Sequence, residues 1–246
     1  MTNAPVAHQR RLLDIQALDT RTAKLNHQRR TLPVLATLAE LEGRAQDLSR
    51  AQVEARTVVS DIRREVSKAE ADVEQVRERA ARHQKRLDAG PGTAKDAQAL
   101  QHELDQLAKR QEVLEEIELE AMERLEAAEA RVAELEAQEA AITADVERHS
   151  ADRDASFATL DADLAKVAAE RDALTADIDP TLLAMYDRVR SRTGGLGAVA
   201  LYGSRTDGAQ LDFSLTELEA IHAAPAEQVV VAEDYGYILV RMEPKE

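Results

Sequence analysis

A heptad pattern in two stretches, residues 38–87 and 97–146, constrains this chain more than any other feature. Stepping alternately by three and four residues through each stretch meets apolar or small side chains almost continuously. A 3.5-residue repeat stays on one face of a helix only when helices supercoil around each other. The two stretches therefore predict a coiled coil. The polar exceptions along the seam are Gln52, His83, Gln111, Glu118 and Glu139.

The segment between the two stretches is rich in residues that end helices. Gly90 and Gly92 carry the entropic cost of glycine in a helix, and Pro91 lacks an amide hydrogen and clashes with the preceding turn. The sequence therefore predicts one turn near residues 89–93 and an antiparallel hairpin rather than a single rod. For the same reason Pro33 predicts a kink near residue 33.

The pattern changes after residue 179, where short elements replace the heptads. We expect a helix from Pro180 that is capped by Asp179, and a second helix after a capping box formed by Ser214 and Glu217. The predicted strands are residues 198–202, 209–213, 228–232 and 237–241. The fold class is mainly α, with a long antiparallel coiled-coil hairpin over residues 1–179 and a small C-terminal α+β module over residues 180–246.

The composition excludes several classes of protein. Two phenylalanines, four tyrosines and no tryptophan are too few for a large globular core. With no cysteine there is no disulfide, thiolate nucleophile or cysteine-ligated metal. No apolar run is long enough to cross a bilayer, so we expect a cytoplasmic protein without a membrane partner.

The net charge of −15 argues against indiscriminate binding to nucleic acid, but the hairpin tip differs from the rest. Residues 77–110 carry eight basic against five acidic side chains. This patch either contacts nucleic acid or an acidic protein, or is an ordinary solvated face, and no aromatic residues are interleaved for base stacking. The basic residues are Arg77, Arg79, Arg82, Lys85, Arg86, Lys95, Lys109 and Arg110.

No stretch predicts catalysis. The glycine-rich segments lack the Lys-Ser/Thr of a phosphate-binding loop, and no nucleophile and base stand at a recognisable spacing. His83 lies on the seam and is expected to pack there rather than to bind a ligand. Four other polar residues fit turn chemistry better than a cation site: Asp207, His222, Glu233 and Asp234. We therefore expect a protein that is not an enzyme.

Several segments, in their order and spacing, resemble a bacterial family that joins a coiled-coil hairpin to a C-terminal four-cysteine zinc ribbon. They include Arg86-Leu87-Asp88-Ala89-Gly90, Leu100-Gln101-His102-Glu103-Leu104 and Gly236-Tyr237-Ile238-Leu239-Val240-Arg241. The resemblance implies a nucleic-acid-binding or regulatory role. It also implies that some relatives act on flagellar gene expression or secretion through protein contacts.

The chain departs from this family at the zinc site. The four positions of the family's cysteines are Asp207, Gln210, Ala232 and Tyr235. Alanine does not ligate and tyrosine rarely does, so we expect a degenerate ribbon with no zinc and no other cofactor. The loss of metal would be offset by apolar burial of the aromatic residues Tyr202, Phe213, Tyr235 and Tyr237.

The function that follows is a non-enzymatic adaptor or scaffold, which displays protein-interaction surfaces on the coiled coil and on the metal-free module in the regulation of gene expression. Its partner is an unidentified protein. The alternative is RNA or DNA binding through the basic tip and the ribbon module. The oligomeric state stays open at this point.

Overall fold

The computed structural model describes residues 2–243 and has five helices and a four-stranded sheet in that range. It confirms the predicted fold class: mainly helical, with a long helical hairpin and a small mixed sheet. The elements are α1 (Val6–Arg30), α2 (Pro33–Asp88), α3 (Ala94–Thr175), α4 (Pro180–Arg192), β1 (Ala198–Tyr202), β2 (Arg205–Asp207), α5 (Leu215–Ala223), β3 (Val230–Val231) and β4 (Ile238–Met242).

The chain forms two compact units whose limits differ from the boundary drawn at residue 179. The hairpin unit is Ala36–Ser150, and the sheet unit combines Met1–Leu35 with Ala151–Glu246. The difference arises because α1 packs in the same core as the C-terminal elements, with Leu12 and Ile15 fully buried there. Residue 1 and residues 244–246, at the ends of the two predicted domains, lie outside the described part of the chain.

In the hairpin unit the predicted seam is the packed face. Every position of the two heptad series in this unit is buried or half-buried except Glu139, which is exposed. The seam therefore removes apolar surface from water along both helices, which is the main stabilising term for a coiled coil. The most deeply buried apolar residues of the unit are Leu41, Leu48, Val59, Val66, Ala69, Val73, Leu100, Leu114, Ala121 and Leu135.

Polar contacts across the seam hold the two helices in one register. Three ion pairs link the helices at whole-heptad spacings: Arg56–Glu136, Arg63–Glu129 and Arg77–Glu115. From one pair to the next the residue number rises by seven and then by fourteen in α2, and it falls by the same amounts in α3, as expected for antiparallel helices. Gln52 is buried, and its Nε2 donates to the Leu135 carbonyl at 3.3 Å and to Glu139 Oε2 at 2.8 Å. A satisfied polar side chain inside a seam disfavours slipped pairings.

The turn lies where the glycines and proline predict it. α2 ends at Asp88 and α3 begins at Ala94, with Gly90 at φ 87°, a conformation that other residues rarely adopt. Thr93 caps α3, because its Oγ1 accepts the Asp96 amide at 3.2 Å. At Pro33 the structure has a helix break, since α1 stops at Arg30 and α2 starts with the proline itself.

The sheet has the strand order β2-β1-β4-β3, with β1 and β4 parallel and the two outer strands antiparallel to their neighbours. Its two faces bury alternate residues of the same strands. Ala198, Ile238 and Val240 face a core with α1 and α4, whereas Val199 and Leu239 face a second core with α5. Burial on both faces explains why the central strands are continuous apolar runs.

The predicted strand at residues 209–213 is wrong. Gly203, at φ 59°, allows a two-residue turn, so Tyr202 pairs with Arg205 and the second strand is Arg205–Asp207. The following segment is irregular and is closed by the Thr206 hydroxyl, which donates to the Ala209 carbonyl at 2.6 Å and accepts from the Leu211 amide at 3.1 Å. A side-chain hydroxyl, rather than backbone pairing with another strand, thus organises this loop.

The predicted helix caps of the C-terminal module are confirmed. Asp179 Oδ1 accepts the amides of Thr181 and Leu182, and Ser214 forms the complete capping box with Glu217. The predicted hairpin near the C-terminus is also present, although β3 contains two residues rather than five.

A buried polar cluster joins three helices of the sheet unit. Asp19 of α1 is 4% exposed, and its carboxylate pairs with Arg171 of α3 at 2.9 Å and with Arg190 of α4 at 3.1 Å. The hydroxyl of Tyr186 donates to the same carboxylate at 2.8 Å. Burial, reinforced by the adjacent Asp19 carboxylate, raises the pKa of Tyr186 well above its ordinary value. The phenol therefore remains a donor throughout the physiological pH range.

Gly197 is the residue whose replacement most directly tests this packing. A Cβ at Gly197 would lie 2.4 Å from the Tyr186 ring, which is fully buried and tied to Asp19. We expect Gly197→Ala to lower the free energy of unfolding by about 1–3 kcal/mol, the range for overpacked cores. Gly43→Ala is the matched control, since nothing lies within 4 Å of that Cβ. It should raise the stability by about 1 kcal/mol, the helix-propensity difference. Equal changes in the free energy of unfolding of the two variants, measured by denaturant titration, would contradict the close packing of Gly197 against the Tyr186 ring.

Replacing Thr206 tests the loop between β2 and α5. Thr206→Val keeps the side-chain shape but leaves the Ala209 carbonyl and the Leu211 amide without their partner. We expect a loss of roughly 1–3 kcal/mol, the cost of unsatisfied, partly buried polar groups. Thr216→Val, at an exposed position, should change stability by less than about 0.5 kcal/mol. Amide exchange of residues 206–212 locates the effect, and exchange unchanged in Thr206→Val would rule out this role of the hydroxyl.

Candidate functional site

The basic patch at the hairpin tip separates into paired and unpaired side chains. Arg77 pairs with Glu115 at 2.6 Å, and Arg82 pairs with Glu78 at 3.4 Å. The pKa of Glu115 lies below its ordinary value because the carboxylate accepts hydrogen bonds from Gln111 and Arg77. Within residues 2–243, five exposed basic side chains of the patch take part in no ion pair: Lys85, Arg86, Lys95, Lys109 and Arg110.

His83 packs on the seam of this tip, as the sequence predicts for its position. Its Nε2 lies 3.2 Å from Glu103 Oε2 and 3.4 Å from Arg79 Nε. Its Nδ1 is buried and has no hydrogen-bond partner in the described residues. These contacts bring Arg79 and Glu103 to the histidine, so Arg79 is occupied within the hairpin.

Farther along α3, large apolar side chains are exposed on both sides of the seam. We call Val113, Ile117, Leu119 and Met122 the apolar band. Their exposures are 48%, 47%, 58% and 49%. The first two are four residues apart and the last two are three apart, so each pair lies along one helix face. The seam residues Leu114 and Ala121 lie between the pairs and are buried. The sequence analysis missed the band, although four large apolar residues outside a seam within ten positions are its signal.

The four positions at which the resemblance places zinc ligands have other environments here. Asp207 and Gln210 are exposed, and Ala232 is buried in the core that α5 covers. The Tyr235 ring meets Phe213 edge-on, with centroids 6.2 Å apart and planes at 78°. Its hydroxyl lies 3.4 Å from the Asp212 amide nitrogen, which donates to it. These contacts join the segment at Asp212 and Phe213 to the turn that contains Tyr235.

Within residues 2–243, no group of three or more histidine, cysteine, aspartate or glutamate side chains is placed to hold a metal ion. All three carboxylates are exposed: Glu233 and Asp234 lie in a turn, whereas Asp207, which was expected in a turn, ends strand β2. His222 Nε2 lies 3.1 Å from the Gly203 carbonyl instead of joining these carboxylates. The expected burial of the aromatic residues holds only in part: Phe213 and Tyr237 pack against the α5 core, whereas Tyr235 is 38% exposed.

Arg241 organises the end of α5, and sequence reasoning missed it. Its guanidinium donates to five carbonyl groups: those of Ile221, Ala224, Pro225, Ala226 and Gln228. The last carbonyls of a helix have no partner within the helix, and a cation at that end is favoured. A single arginine at the end of an apolar strand is the signal that would have indicated a buried or bridging role.

Among the described residues, no helix is both long and apolar enough to span a membrane. The contacts described above leave three candidate surfaces for binding: the basic tip, the apolar band and the surface of the C-terminal module.

Comparison with known proteins places these features in a family. The model of the CT398-like coiled coil hairpin domain matches residues 15–194. An uncharacterized protein from Mycobacterium tuberculosis is 34% identical over 241 residues, which cover 98% of each chain.

Solved structures agree in fold along nearly the whole chain. A structure from Mycobacterium smegmatis is 31% identical, with a TM-score of 0.86 and coverage of 98% of this chain and 100% of that one. CT398 from Chlamydia trachomatis has 15% identity and a TM-score of 0.70, covering 96% and 98% of the two chains. HP0958 from Helicobacter pylori has 13% identity and a TM-score of 0.51, covering 97% and 98%. The chain belongs to the CT398-like coiled-coil hairpin family.

Proposed function

We propose that this protein is a non-enzymatic adaptor that binds a partner protein through the apolar band of its hairpin unit. The observation that supports this is four large apolar side chains, about half exposed, in a part of α3 whose other positions outside the seam are glutamates. Each such side chain contributes on the order of 1.5–3 kcal/mol when it is fully buried. Val113 with Ile117, and Leu119 with Met122, form one apolar patch on each side of the seam, and a partner that contacts both sides gains a specific, modest interface.

The residues around the band favour a protein partner over nucleic acid. Six glutamates are interspersed between residues 112 and 123, and there is no lysine or arginine. Phosphate groups would be repelled by this surface. An apolar centre with a charged rim is the usual anatomy of a protein–protein interface.

The proposal includes a C-terminal module that folds without zinc or another cofactor. Support comes from the side chains that link its loops, namely the Tyr235–Phe213 contact and the Thr206 hydroxyl. Arg241 adds five hydrogen bonds to backbone carbonyls at the end of α5. Such contacts make a metal unnecessary for joining these segments. A role in regulating gene expression, which the family resemblance implies, would then be exercised through protein contacts.

Replacement of the band tests the adaptor function. The variant Val113→Gln, Ile117→Gln, Leu119→Gln, Met122→Gln keeps helix propensity and removes the apolar surface. We expect it to melt within a few degrees of the wild type, because the changed side chains are exposed. In affinity capture from lysate of the source cells, followed by quantitative mass spectrometry, it should lose the proteins that wild type enriches.

The matched control is Val53→Gln, Val58→Gln, which changes two exposed valines of the same unit outside the band. This variant should capture the same proteins as the wild type. If the band variant captures them equally well, the band is not the interface and the proposal is wrong.

A second function, nucleic-acid binding at the tip, is favoured by the five basic side chains that no carboxylate neutralises among the described residues. Exposed cations without an internal partner are available to phosphates. The part of the C-terminal module from residue 206 to residue 240 is unsuited to contribute, since it contains seven acidic side chains and no lysine or arginine.

This second function is tested by salt titration of binding to RNA and to duplex DNA. The variant Lys85→Ala, Arg86→Ala, Lys109→Ala, Arg110→Ala should flatten the slope of log K against log salt by roughly 3, or about 0.7–0.9 per lost phosphate contact. The control removes four arginines that pair within their own helix: Arg50, Arg64, Arg131 and Arg148. Its net charge matches that of the tip variant. Equal slopes for the two variants would show that overall charge, not the tip, determines binding.

A further inference from the structure

A groove runs between α5 and β3 in the sheet unit. It encloses about 420 Å³. Its apolar walls include Phe213, Ala220 and Ile221 on the helix side and Val230 and Val231 on the strand side. These residues belong to one compact unit. Phe213, Ile221 and Val230 pack in the core that α5 covers, whereas Val231 packs against the core on the other face of the sheet.

The rim of the groove is acidic. Glu217 and Glu233 line it, and no lysine or arginine is among its described lining residues. The nearby Arg241 guanidinium is bonded to the carbonyls of Ile221, Ala224 and Gln228, which line the groove. Glu217 is held in the charged form, since hydrogen bonds from the side chain and backbone of Ser214 place its pKa below the ordinary value. A partner that enters this groove is therefore attracted if it is basic and repelled if it is acidic.

The strand wall is an edge that already accepts an extended segment. Ala232 donates its amide to Tyr237 of the neighbouring strand, so in the antiparallel ladder the backbone groups of Val231 point away from β4. Val229 points the same way, and its amide donates to the Thr2 carbonyl at 2.9 Å. The Ala4 amide donates in turn to the Glu227 carbonyl at 2.8 Å. At residues 227–229 this edge therefore pairs with the extended backbone of residues 2–4. The next residue on the same edge whose backbone groups point outward is Val231, which lines the groove.

We propose that the groove between α5 and β3 binds an extended segment of a partner protein in which apolar residues alternate with lysine or arginine. The segment pairs with the backbone of Val231, places its apolar side chains against Ala220 and Ile221, and directs its cations to Glu217 and Glu233. Strand addition to an exposed edge supplies affinity through the backbone and specificity through alternate side chains. The inference rests on the proposed adaptor function. It adds the groove to the apolar band as a second binding surface and specifies a basic, extended partner segment for it.

A synthetic peptide tests the groove directly. The probe is a fluorescent, N-acetylated nine-residue peptide of alternating lysine and valine, and binding to the full-length protein is followed by fluorescence anisotropy. We expect saturable binding that Glu233→Lys weakens by about tenfold or more, as for loss of a charge contact at an interface. Ala220→Leu, which fills the groove, should weaken it similarly.

The controls separate the groove from general attraction to an acidic protein. Glu219→Lys makes the same change of net charge at an exposed position outside the groove and should weaken binding clearly less than Glu233→Lys, because it removes no contact in the groove. A lysine–serine peptide and a lysine–valine peptide with a central proline should bind much more weakly. If they bind equally, or if Glu219→Lys weakens binding as much as Glu233→Lys, the proposal is wrong.

Three further outcomes are distinguishable. If sedimentation shows self-association that Ala220→Leu abolishes, a second copy occupies the groove and the proposed occupant is wrong. If the groove variants leave probe binding unchanged while the band variant still loses its captured proteins, the groove assignment fails and the adaptor function stands. If the groove variants weaken probe binding but the band variant captures proteins normally, the adaptor proposal fails at the band and the groove remains.

Discussion

The burial of one ionised carboxylate determines how the sheet unit is assembled. An aspartate in a protein interior is strongly destabilising unless cations and hydrogen-bond donors surround it. Asp19 receives Arg171 from α3 and both Arg190 and the Tyr186 hydroxyl from α4. Without both arginines this carboxylate would be a buried charge with no cation, which is strongly destabilising, and without the Tyr186 hydroxyl it would lose a hydrogen-bond donor. The three helices are consequently restricted to arrangements in which both arginines and the tyrosine hydroxyl reach Asp19. The apolar packing of Leu12 and Ile15 against α4 is compatible with this arrangement.

The same principle explains the irregular parts of the chain, where side chains replace missing backbone partners. Gln16 is buried next to Asp19, accepts the amides of Gly197 and Ala198 through its Oε1 and donates to the Gly195 carbonyl. Arg241 performs the corresponding task for the carbonyls after α5. These bonds tie the ends of helices to the strands that follow them, so the small sheet is held by directional contacts as well as by its two apolar faces. This is why a module with few aromatic residues can pack tightly.

The sequence predicts what is local and misses what depends on distant partners. The hairpin, its turn at Gly90 and the capping box at Ser214 follow from periodicity and from residue types a few positions apart. The predicted strand at residues 209–213 was wrong. Because of the two-residue turn at Gly203, the strand that pairs with β1 begins earlier, at Arg205, and contains three residues rather than five. Asp19 and its partners lie more than 150 residues apart, so no window of sequence connects them. Likewise the count of basic residues at the tip was visible, but their pairing was not.

The distribution of charge limits which partners each surface accepts. The arginines of the hairpin face carboxylates at heptad intervals, whereas five basic residues near the turn do not. The segment from residue 206 to residue 240 of the C-terminal module has the opposite character, since it has seven acidic side chains and no lysine or arginine. A polyanion attracted to the tip is repelled by the module, and a basic peptide attracted to the module is repelled by the tip, because solvent-exposed charges act over about one Debye length. A single partner of uniform charge is therefore poorly matched to both surfaces. Two different partners, or one with two oppositely charged regions, are matched to them, as expected of an adaptor.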